Sequence, residues 1–265
     1  EVFMESPSVV ATNIFTTNYE LVREFIEALG DVSPHIIIGG LSTRTLYQKI
    51  FKWDYRGQID VVFGDGEEII VPLVLGKVDE SPVAIQPNRR FFSVDSKSRY
   101  YSTDISDIPL DRTFFSNEPL LHPLGFREAH IVASRGCIYN CAFCAAARSL
   151  NKDLTVRERS TVSLKEELRS IRAQFPDVES IRVLDDLFLK GRRCITNAIE
   201  VFGEFSYTWR SMAHVLTFQG ADFASLVRLK ESGCGELFIG IESGSERVLR
   251  SIHKTHDVSQ IRENL

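Results

Sequence analysis

The chain has 265 residues, 43% of them hydrophobic and 25% charged, a composition that excludes a disordered or collagen-like protein. A net charge of −5 and the absence of a Lys and Arg run exclude a broad nucleic-acid-binding face. The apolar runs fall far short of the ~20 residues that cross a bilayer, and no signal peptide opens the sequence, so a cytoplasmic protein without a membrane partner is predicted.

The first 76 residues alternate short apolar strands with amphipathic helices. Strands are predicted at 9–15, 35–38 and 60–63, and helices at 21–29, 41–51 and 65–75. Asp65 and Glu68 form a candidate capping box for the third helix. Strands that alternate with helices of this length predict a parallel sheet covered on both faces. Residues 1–76 are therefore predicted to be an open, Rossmann-like α/β domain or the greater part of one.

Residues 77–128 lose this rhythm. Five of the nine prolines fall here, and the neighbouring aromatic residues Phe91, Phe92, Tyr100 and Tyr101 favour a hairpin over a helix. The stretch is predicted to be a linker with a small β excursion.

The alternation of strands and helices returns in residues 129–265. Strands are predicted at 130–134, 180–184, 207–212 and 236–241, and helices at 164–175, 194–205 and 223–232. Ser163 and Glu166 form a candidate capping box for the first of these helices, and Arg157 and Arg159 are predicted to be solvated surface charges. Four strand-helix units predict an arc of a β/α barrel, which is too short to close.

Three of the five cysteines, Cys137, Cys141 and Cys144, lie within eight positions directly after a predicted strand. Loops at the carboxyl ends of barrel strands carry the chemistry of β/α barrels. Thiolates are soft ligands that suit zinc or an iron–sulfur centre. Structural zinc takes four protein ligands, whereas a [4Fe–4S] cluster held by three cysteines keeps one iron open for another ligand. The cluster is the favoured interpretation because no fourth cysteine lies nearby.

Two alternatives belong to other functional classes. Zinc completed by His122 or His130 would make the chain a non-catalytic binding module. The chain opens on Glu1 and ends inside a predicted helix, so both ends are predicted to be cut, and a defective fragment is the other alternative. Cys194 and Cys234 are predicted to be ordinary packing residues.

The pattern Cys137-x-x-x-Cys141-x-x-Cys144, with Phe143 before the last cysteine, resembles the motif of the radical S-adenosylmethionine (radical SAM) superfamily. The resemblance implies a partial (βα)6 barrel and a [4Fe–4S] cluster whose open iron chelates the amino and carboxylate groups of S-adenosylmethionine. It also implies reductive cleavage to a 5′-deoxyadenosyl radical, a small-molecule substrate, and an electron donor such as flavodoxin or ferredoxin. Phe143 would pack near the adenine, with a hydrophobic plug under the loop as the alternative.

Other positions match the superfamily more weakly. Asp185 and Asp186 are similar to an acidic pair that faces the methionine amine in relatives with a cobalamin domain, and a helix N-cap is the alternative. The resemblance implies that Glu242 or Ser243 contacts the ribose. Arg210 could pair with the S-adenosylmethionine carboxylate or with a structural partner.

The first domain resembles the later strands of the cobalamin-binding (B12) domain that precedes one radical SAM subclass. The glycine pair Gly39 and Gly40 ends a predicted strand, and Gly64 to Glu67 matches a second segment of that domain. A generic strand-to-helix turn is the alternative for the glycine pair. The loop Asp-x-His-x-x-Gly, which supplies a histidine to cobalt, is absent from the sequence and by alignment would lie upstream of Glu1. Either the chain is a fragment that lacks this loop, or it belongs to relatives that bind cobalamin without a histidine ligand or have lost cobalamin. The resemblance makes cobalamin a candidate cofactor, with methyl transfer favoured over rearrangement or cyclisation.

Overall fold

The computed structural model describes residues 7–64, 66–107, 112, 120–122, 125–255 and 257–265. It divides into two compact units, Glu1–Ser102 and Thr103–Leu265, and the boundary falls inside the stretch predicted to be a linker. Among the described residues, no helix has the length and apolar content needed to cross a bilayer.

The first unit is a five-stranded sheet flanked by helices. Its strands are β1 (Val9–Asn13), β2 (His35–Gly39), β3 (Ile59–Gly64), β4 (Ala84–Gln86) and β5 (Arg89–Val94), and its helices are α1 (Tyr19–Ala28), α2 (Thr43–Ile50) and α3 (Glu67–Val74). The strand order is β1-β2-β3-β5-β4, and every pair is parallel except β4 with β5. The middle residues of β2 and β3 are buried because both strands lie inside the sheet.

The predicted hairpin is confirmed for β4 and β5, with Phe91 and Phe92 on β5, whereas Tyr100 and Tyr101 lie outside any strand. These strands extend the sheet of the first unit. Gly66 precedes α3 and provides no side-chain cap, whereas Asp65 of the predicted capping box lies outside the described residues.

A fully buried carboxylate connects three strands of this sheet. Asp60 on β3 is 0% exposed and accepts two hydrogen bonds from Arg90 on β5, Nε to Oδ1 at 2.7 Å and Nη2 to Oδ2 at 2.6 Å. His35 Nε2 on β2 lies 2.8 Å from Oδ2. Burial alone raises the pKa of Asp60, but the hydrogen bonds from His35 and Arg90 outweigh it and hold the pKa below its ordinary value.

We expect Asp60→Asn to lower the free energy of unfolding of the first unit by about 3–5 kcal/mol, because it leaves the Arg90 guanidinium without its charged partner. Urea unfolding followed by circular dichroism measures the change. Asp79→Asn is the matched control, since Asp79 pairs with Arg99 on the exposed surface and its loss should leave the midpoint unchanged. An equal effect of both substitutions would contradict the prediction.

The same pair has a defined pH dependence. Because the pKa of Asp60 is lower in the folded than in the unfolded chain, its contribution is complete above the unfolded pKa, about 4. The contribution is lost as pH falls through the folded pKa. The stability difference between the wild type and Asp60→Asn should therefore shrink as pH is lowered from 6 towards 3.

The second unit contains an arc of four parallel strands. Its strands are β6 (Leu120–Leu121), β7 (Arg127–Ile131), β8 (Ser134–Arg135), β9 (Arg157–Glu158), β10 (Ser180–Val183), β11 (Thr208–Ala213) and β12 (Cys234–Ile239). Its helices are α4 (Thr161–Gln174), α5 (Arg192–Phe202), α6 (Phe223–Glu231), α7 (Glu246–Ser251) and α8 (Val258–Asn264). The sheet order is β12-β11-β10-β7-β6, with β6 antiparallel to β7, and β8 pairs separately with β9. The four predicted parallel strands are present, although β7 begins and ends three residues before the predicted 130–134.

An apolar layer joins α4 and α5 to this arc. Trp209 of β11 is fully buried and stacks on Phe202 of α5, with 4.7 Å between ring centroids. Leu168 and Ile171 of α4, both fully buried, belong to the same core.

Two predictions near α4 are wrong. The helix begins at Thr161, and its cap is Ser160, whose side chain accepts a hydrogen bond from the Ser163 amide, so Ser163 is not the cap. Arg157 is 0% exposed, and Arg159 donates to Ser163 and pairs with Glu167, so neither arginine is a solvated surface charge. The cap lies one turn earlier because the Ser163 hydroxyl donates to the Ser106 carbonyl at 3.0 Å.

Candidate functional site

The three clustered cysteines lie in one loop that follows the carboxyl end of β7 and the short strand β8. Cys137, Cys141 and Cys144 are free thiols, each partly exposed. The Cys144 amide donates to the Cys141 carbonyl at 3.1 Å, and the Tyr139 amide donates to Cys137 Sγ at 3.5 Å. A backbone turn thus joins Cys141 to Cys144, and Cys137 lies at the start of the same loop.

The thiols influence one another electrostatically. Burial raises the pKa of Cys137, the Tyr139 amide lowers it, and the nearby charges of Cys144, Cys141 and Asp186 raise it again. No three His, Cys, Asp or Glu side chains of the described residues stand ready to hold a metal ion. The three thiols are soft ligands without disulfide partners, and they fit an iron–sulfur cluster. The iron would compensate the repulsion between the thiolate charges.

Asp185 anchors the start of the cysteine loop. It is 4% exposed, and its Oδ1 accepts from the Ala133 amide at 2.7 Å while Oδ2 accepts from the Ser134 hydroxyl at 2.6 Å. The Lys190 ammonium donates to the same hydroxyl at 2.9 Å. Burial raises the pKa of Asp185, and the hydrogen bonds from Ser134 and Ala133 only partly offset that effect. The carboxylate therefore connects the end of β10 to the beginning of the loop.

Asp186 points differently from its neighbour. Its side chain is exposed, and Oδ2 accepts from the amide of Gly136, the residue before Cys137, at 3.0 Å. The alternative that this acidic pair caps the next helix is wrong, because α5 starts after Gly191 without a side-chain cap.

The segment after β12 meets the cysteine loop. The Ile252 carbonyl accepts from the Ala142 amide at 2.9 Å. Lys254 Nζ donates to the Gly240 carbonyl at 3.1 Å, lies 3.2 Å from Glu242 Oε1 and lies 5.8 Å from the Phe143 ring centroid. Lys254 thus connects Phe143 and Glu242, two site residues that the sequence predicts. Lys254 itself is not predicted from the sequence.

Ser243 lies beside Glu242 in the same segment. Its hydroxyl accepts from the Ser245 amide at 3.1 Å. Ser245 precedes α7, but its side chain forms no cap hydrogen bond.

His214 is a second residue that the sequence analysis missed. It directly follows β11, is buried, and stacks on Tyr139 of the cysteine loop with 3.9 Å between ring centroids. Its Nε2 lies 3.4 Å from Thr255 Oγ1. Its position at the carboxyl end of a parallel strand is the signal that could have identified it.

Arg210 lies in an ion pair on the sheet. Its Nε and Nη2 donate to Glu128 on β7 at 2.7 and 2.6 Å, and its Nη1 lies 3.3 Å from Glu236 on β12. Burial raises the pKa of Glu128, but the hydrogen bonds and charge of Arg210 outweigh burial and hold the pKa below its ordinary value. Both side chains belong to the amino-terminal halves of their strands, whereas the cysteine loop follows a carboxyl end.

We expect Arg210→Met to lower the free energy of unfolding of the second unit by about 3–5 kcal/mol, since it leaves the buried Glu128 carboxylate uncompensated. Arg169→Met is the control, because Arg169 pairs with Glu204 on the exposed surface. Urea unfolding measures both variants, and equilibrium dialysis measures their affinity for S-adenosylmethionine. A stable Arg210→Met variant with lost affinity would instead favour a direct contact with the ligand carboxylate.

The histidines proposed for a zinc site have other partners. His122 stacks on Phe126 with 4.2 Å between ring centroids, and His130 Nε2 lies 3.5 Å from Glu128 Oε1. These contacts do not favour a zinc-stabilised module.

In the first unit, glycines occupy the carboxyl ends of β2 and β3. Gly40 has φ +111°, and a Cβ there would lie 2.9 Å from the Ile14 carbonyl oxygen, so the chain itself requires glycine. A Cβ on Gly39 would lie 3.1 Å from Asn13 Oδ1, and Gly64 ends β3. The close approach of Asn13 and Ile14 therefore accounts for Gly39 and Gly40, which lie with Gly64 at the edge where open α/β sheets bind ligands.

Residues 131–265 match the family model of the radical SAM superfamily, and the chain belongs to that superfamily. It is 32% identical over 126 residues to the uncharacterized methyltransferase PH0819 of Pyrococcus horikoshii, an alignment covering 47% of this chain and 26% of that protein. It is 25% identical over 133 residues to the cytidylyl-2-hydroxyethylphosphonate methyltransferase of Streptomyces wedmorensis, covering 50% of this chain and 24% of that protein. The chain thus spans about a quarter of the length of these relatives.

The solved structures of OxsB, a cobalamin-dependent S-adenosylmethionine radical enzyme, have a similar fold. The apo form matches 98% of this chain and 39% of its own with a TM-score of 0.71 at 16% identity. The form with aqua-cobalamin and S-adenosylmethionine also matches 98% of this chain and 39% of its own, with a TM-score of 0.68 at 17% identity. This likeness confirms the predicted fold class, a partial barrel with a Rossmann-like α/β domain.

Proposed function

We propose that this chain is the cluster-binding part of a radical SAM enzyme, in which Cys137, Cys141 and Cys144 hold a [4Fe–4S] cluster. The observation that carries the proposal is the placement of three free, partly exposed thiols in one loop after the first parallel strand of the barrel arc. Membership of the superfamily supports it. When bound, the cluster supplies the electron that splits the sulfonium C–S bond of S-adenosylmethionine into methionine and a 5′-deoxyadenosyl radical.

The protein's own residues bind and orient this cosubstrate. Asp185 and Ser134 fix the start of the cysteine loop, and Asp186 binds the Gly136 amide next to Cys137. Phe143 is 58% exposed and offers a ring face to the adenine, while the Glu242 carboxylate can accept hydrogen bonds from ribose hydroxyls. These contacts place the ligand without taking part in electron transfer.

We propose methyl transfer to a small molecule as the reaction of the whole enzyme, with cobalamin as a further cofactor. The names of both curated relatives support methyl transfer, and the cobalamin dependence named for OxsB supports the cofactor. Gly39, Gly40 and Gly64 lie at the carboxyl ends of β2 and β3, the edge at which open α/β sheets bind ligands, and this placement supports a cobalamin site there. Equilibrium dialysis with aquacobalamin tests this assignment, and no retention of the corrin by the folded chain would contradict it.

We also propose a cytoplasmic location and an electron donor of the flavodoxin or ferredoxin type. The five cysteines are free thiols, which suits a reducing compartment. A cluster that accepts single electrons requires a one-electron donor.

Anaerobic reconstitution with iron and sulfide tests the main proposal. We expect the absorption and EPR spectra of a [4Fe–4S] cluster, a change of the EPR signal on adding S-adenosylmethionine, and 5′-deoxyadenosine after reduction with dithionite. Stoichiometric zinc without iron would contradict the proposal and favour a zinc-stabilised binding module.

A further inference from the structure

We propose that Lys254 is a positioning residue that holds Glu242 and Phe143 together as a binding surface for the adenosine half of S-adenosylmethionine. This inference rests on the proposed function and extends it to a residue outside the cysteine motif. Three features carry it: the burial of the Lys254 ammonium, the conformation of Glu242, and the junction between the two loops.

The Lys254 ammonium is buried with defined partners. Its side chain is 7% exposed, and Nζ lies 3.1 Å from the Gly240 carbonyl oxygen and 3.2 Å from Glu242 Oε1. A buried ammonium is costly unless it is paired and hydrogen-bonded, so these contacts fix its position. The charge is thereby directed at the segment that follows β12.

Glu242 has a backbone conformation that needs support. Its φ is +66°, in the left-handed region, which is unfavourable for a residue other than glycine. Its carboxylate folds back over Gly240, where a Cβ would lie 2.6 Å from Oε1 and 3.4 Å from Lys254 Nζ. The missing side chain of Gly240 therefore leaves the space in which the ion pair forms.

The same lysine reaches the cysteine loop. Nζ lies 5.8 Å from the centroid of the Phe143 ring, within the range of a cation–π contact. The adjacent hydrogen bond from the Ala142 amide to the Ile252 carbonyl, 2.9 Å long, fixes the approach of the two segments. More than half of Phe143 remains exposed, so the ring can still stack on a purine.

This arrangement fits an adenosine rather than an amino acid. An aromatic face and a carboxylate acceptor held at one junction suit a purine and its ribose hydroxyls, respectively. Oε2 of Glu242 has no hydrogen-bond partner within the part of the chain that the structure describes. Lys254, already engaged with Glu242 and Gly240, would act on the ligand through these neighbours.

The test uses two ligands that share adenosine and its 5′-methylthio group, of which only one carries the amino-acid chain. Reconstituted wild type, Lys254→Met and Lys254→Arg are compared by equilibrium dialysis with S-adenosylmethionine and with 5′-methylthioadenosine, which lacks the amino and carboxylate groups. We expect Lys254→Met to lower the affinity for each ligand by a similar factor, about tenfold. This factor is the equivalent of one lost hydrogen bond to a charged group. Iron content should stay at the wild-type level, and Lys254→Arg should restore most of the affinity.

Three results would overturn the inference. The first is an unchanged affinity of Lys254→Met for both ligands, and the second is a loss of bound iron. The third is a loss of affinity for S-adenosylmethionine alone, which would place Lys254 at the amino-acid end of the ligand. If Lys254→Met does not fold, Gly240→Ala is tested instead, because the added Cβ displaces the Glu242 carboxylate. We expect this variant to bind 5′-methylthioadenosine with lower affinity as well. Unchanged affinity there would overturn the inference equally. A wild type that takes up no iron would instead contradict the proposed function.

Discussion

Cys141→Ala should abolish 5′-deoxyadenosine formation and reduce iron incorporation after anaerobic reconstitution. The middle cysteine of the loop has no nearby thiol that could replace it, because Cys194 and Cys234 belong to α5 and β12. With two thiolates left, the chain no longer supplies the three ligands that a site-differentiated cluster needs. Iron content, the absorption spectrum and chromatography of the nucleoside products measure the effect.

Cys194→Ala is the matched control. Cys194 is a free, partly buried thiol on α5, outside the cysteine loop, so its loss should change neither iron content nor product. Retained 5′-deoxyadenosine formation in Cys141→Ala would count decisively against the assigned ligands. Equal losses in the two variants would show that the assay reports general damage to the fold.

Asp185→Ala should destabilise the second unit and release the cysteine loop from its anchor. The substitution leaves two buried donors, the Ala133 amide and the Ser134 hydroxyl, without their acceptor. Each such group costs about 1–3 kcal/mol, so we expect the free energy of unfolding to fall by about 2–6 kcal/mol. Iron uptake should fall as well, because the start of the loop loses its fixed position. Urea unfolding and iron analysis measure the two effects.

The neighbouring carboxylate supplies the control for this experiment. Asp186→Asn keeps an oxygen that can accept from the Gly136 amide and lies at an exposed position, so we expect unchanged stability and iron content. The free energy of unfolding should fall less in Asp185→Asn than in Asp185→Ala, since the side-chain amide oxygen of asparagine can still accept a hydrogen bond from the Ala133 amide. A normal iron content in a folded Asp185→Ala variant would show that the anchor does not act on the cluster site.

The sequence predicts the strands and the cysteine loop well because both depend on local patterns. Alternating apolar runs identify the parallel strands, and the spacing from Cys137 to Cys144 is short enough to define one loop. The side-chain partners depend on contacts between distant segments. Nothing in the local sequence distinguishes Asp185, which is buried, from Asp186, which is exposed.

The same limit explains the other differences. Arg157 is charged and lies in a polar stretch, yet the pairing of β8 with β9 takes it out of solvent. Lys254 follows α7 in a segment with no recognisable motif, and its role depends on a contact with Phe143, more than a hundred positions away. Arg210 and Glu128 are paired by the register of the sheet, which the sequence alone does not give.

The buried ion pairs of the two sheets have a consequence for how the protein can change. Asp60 with Arg90, and Glu128 with Arg210, stand near the amino ends of their strands, whereas the glycine edge and the cysteine loop occupy the opposite ends. Substitutions at exposed positions of these ends therefore leave both ion pairs intact, whereas the buried Asp185 anchor must be kept. Such a chain can acquire new substrates through its loops while the charge pairs that hold each sheet stay untouched.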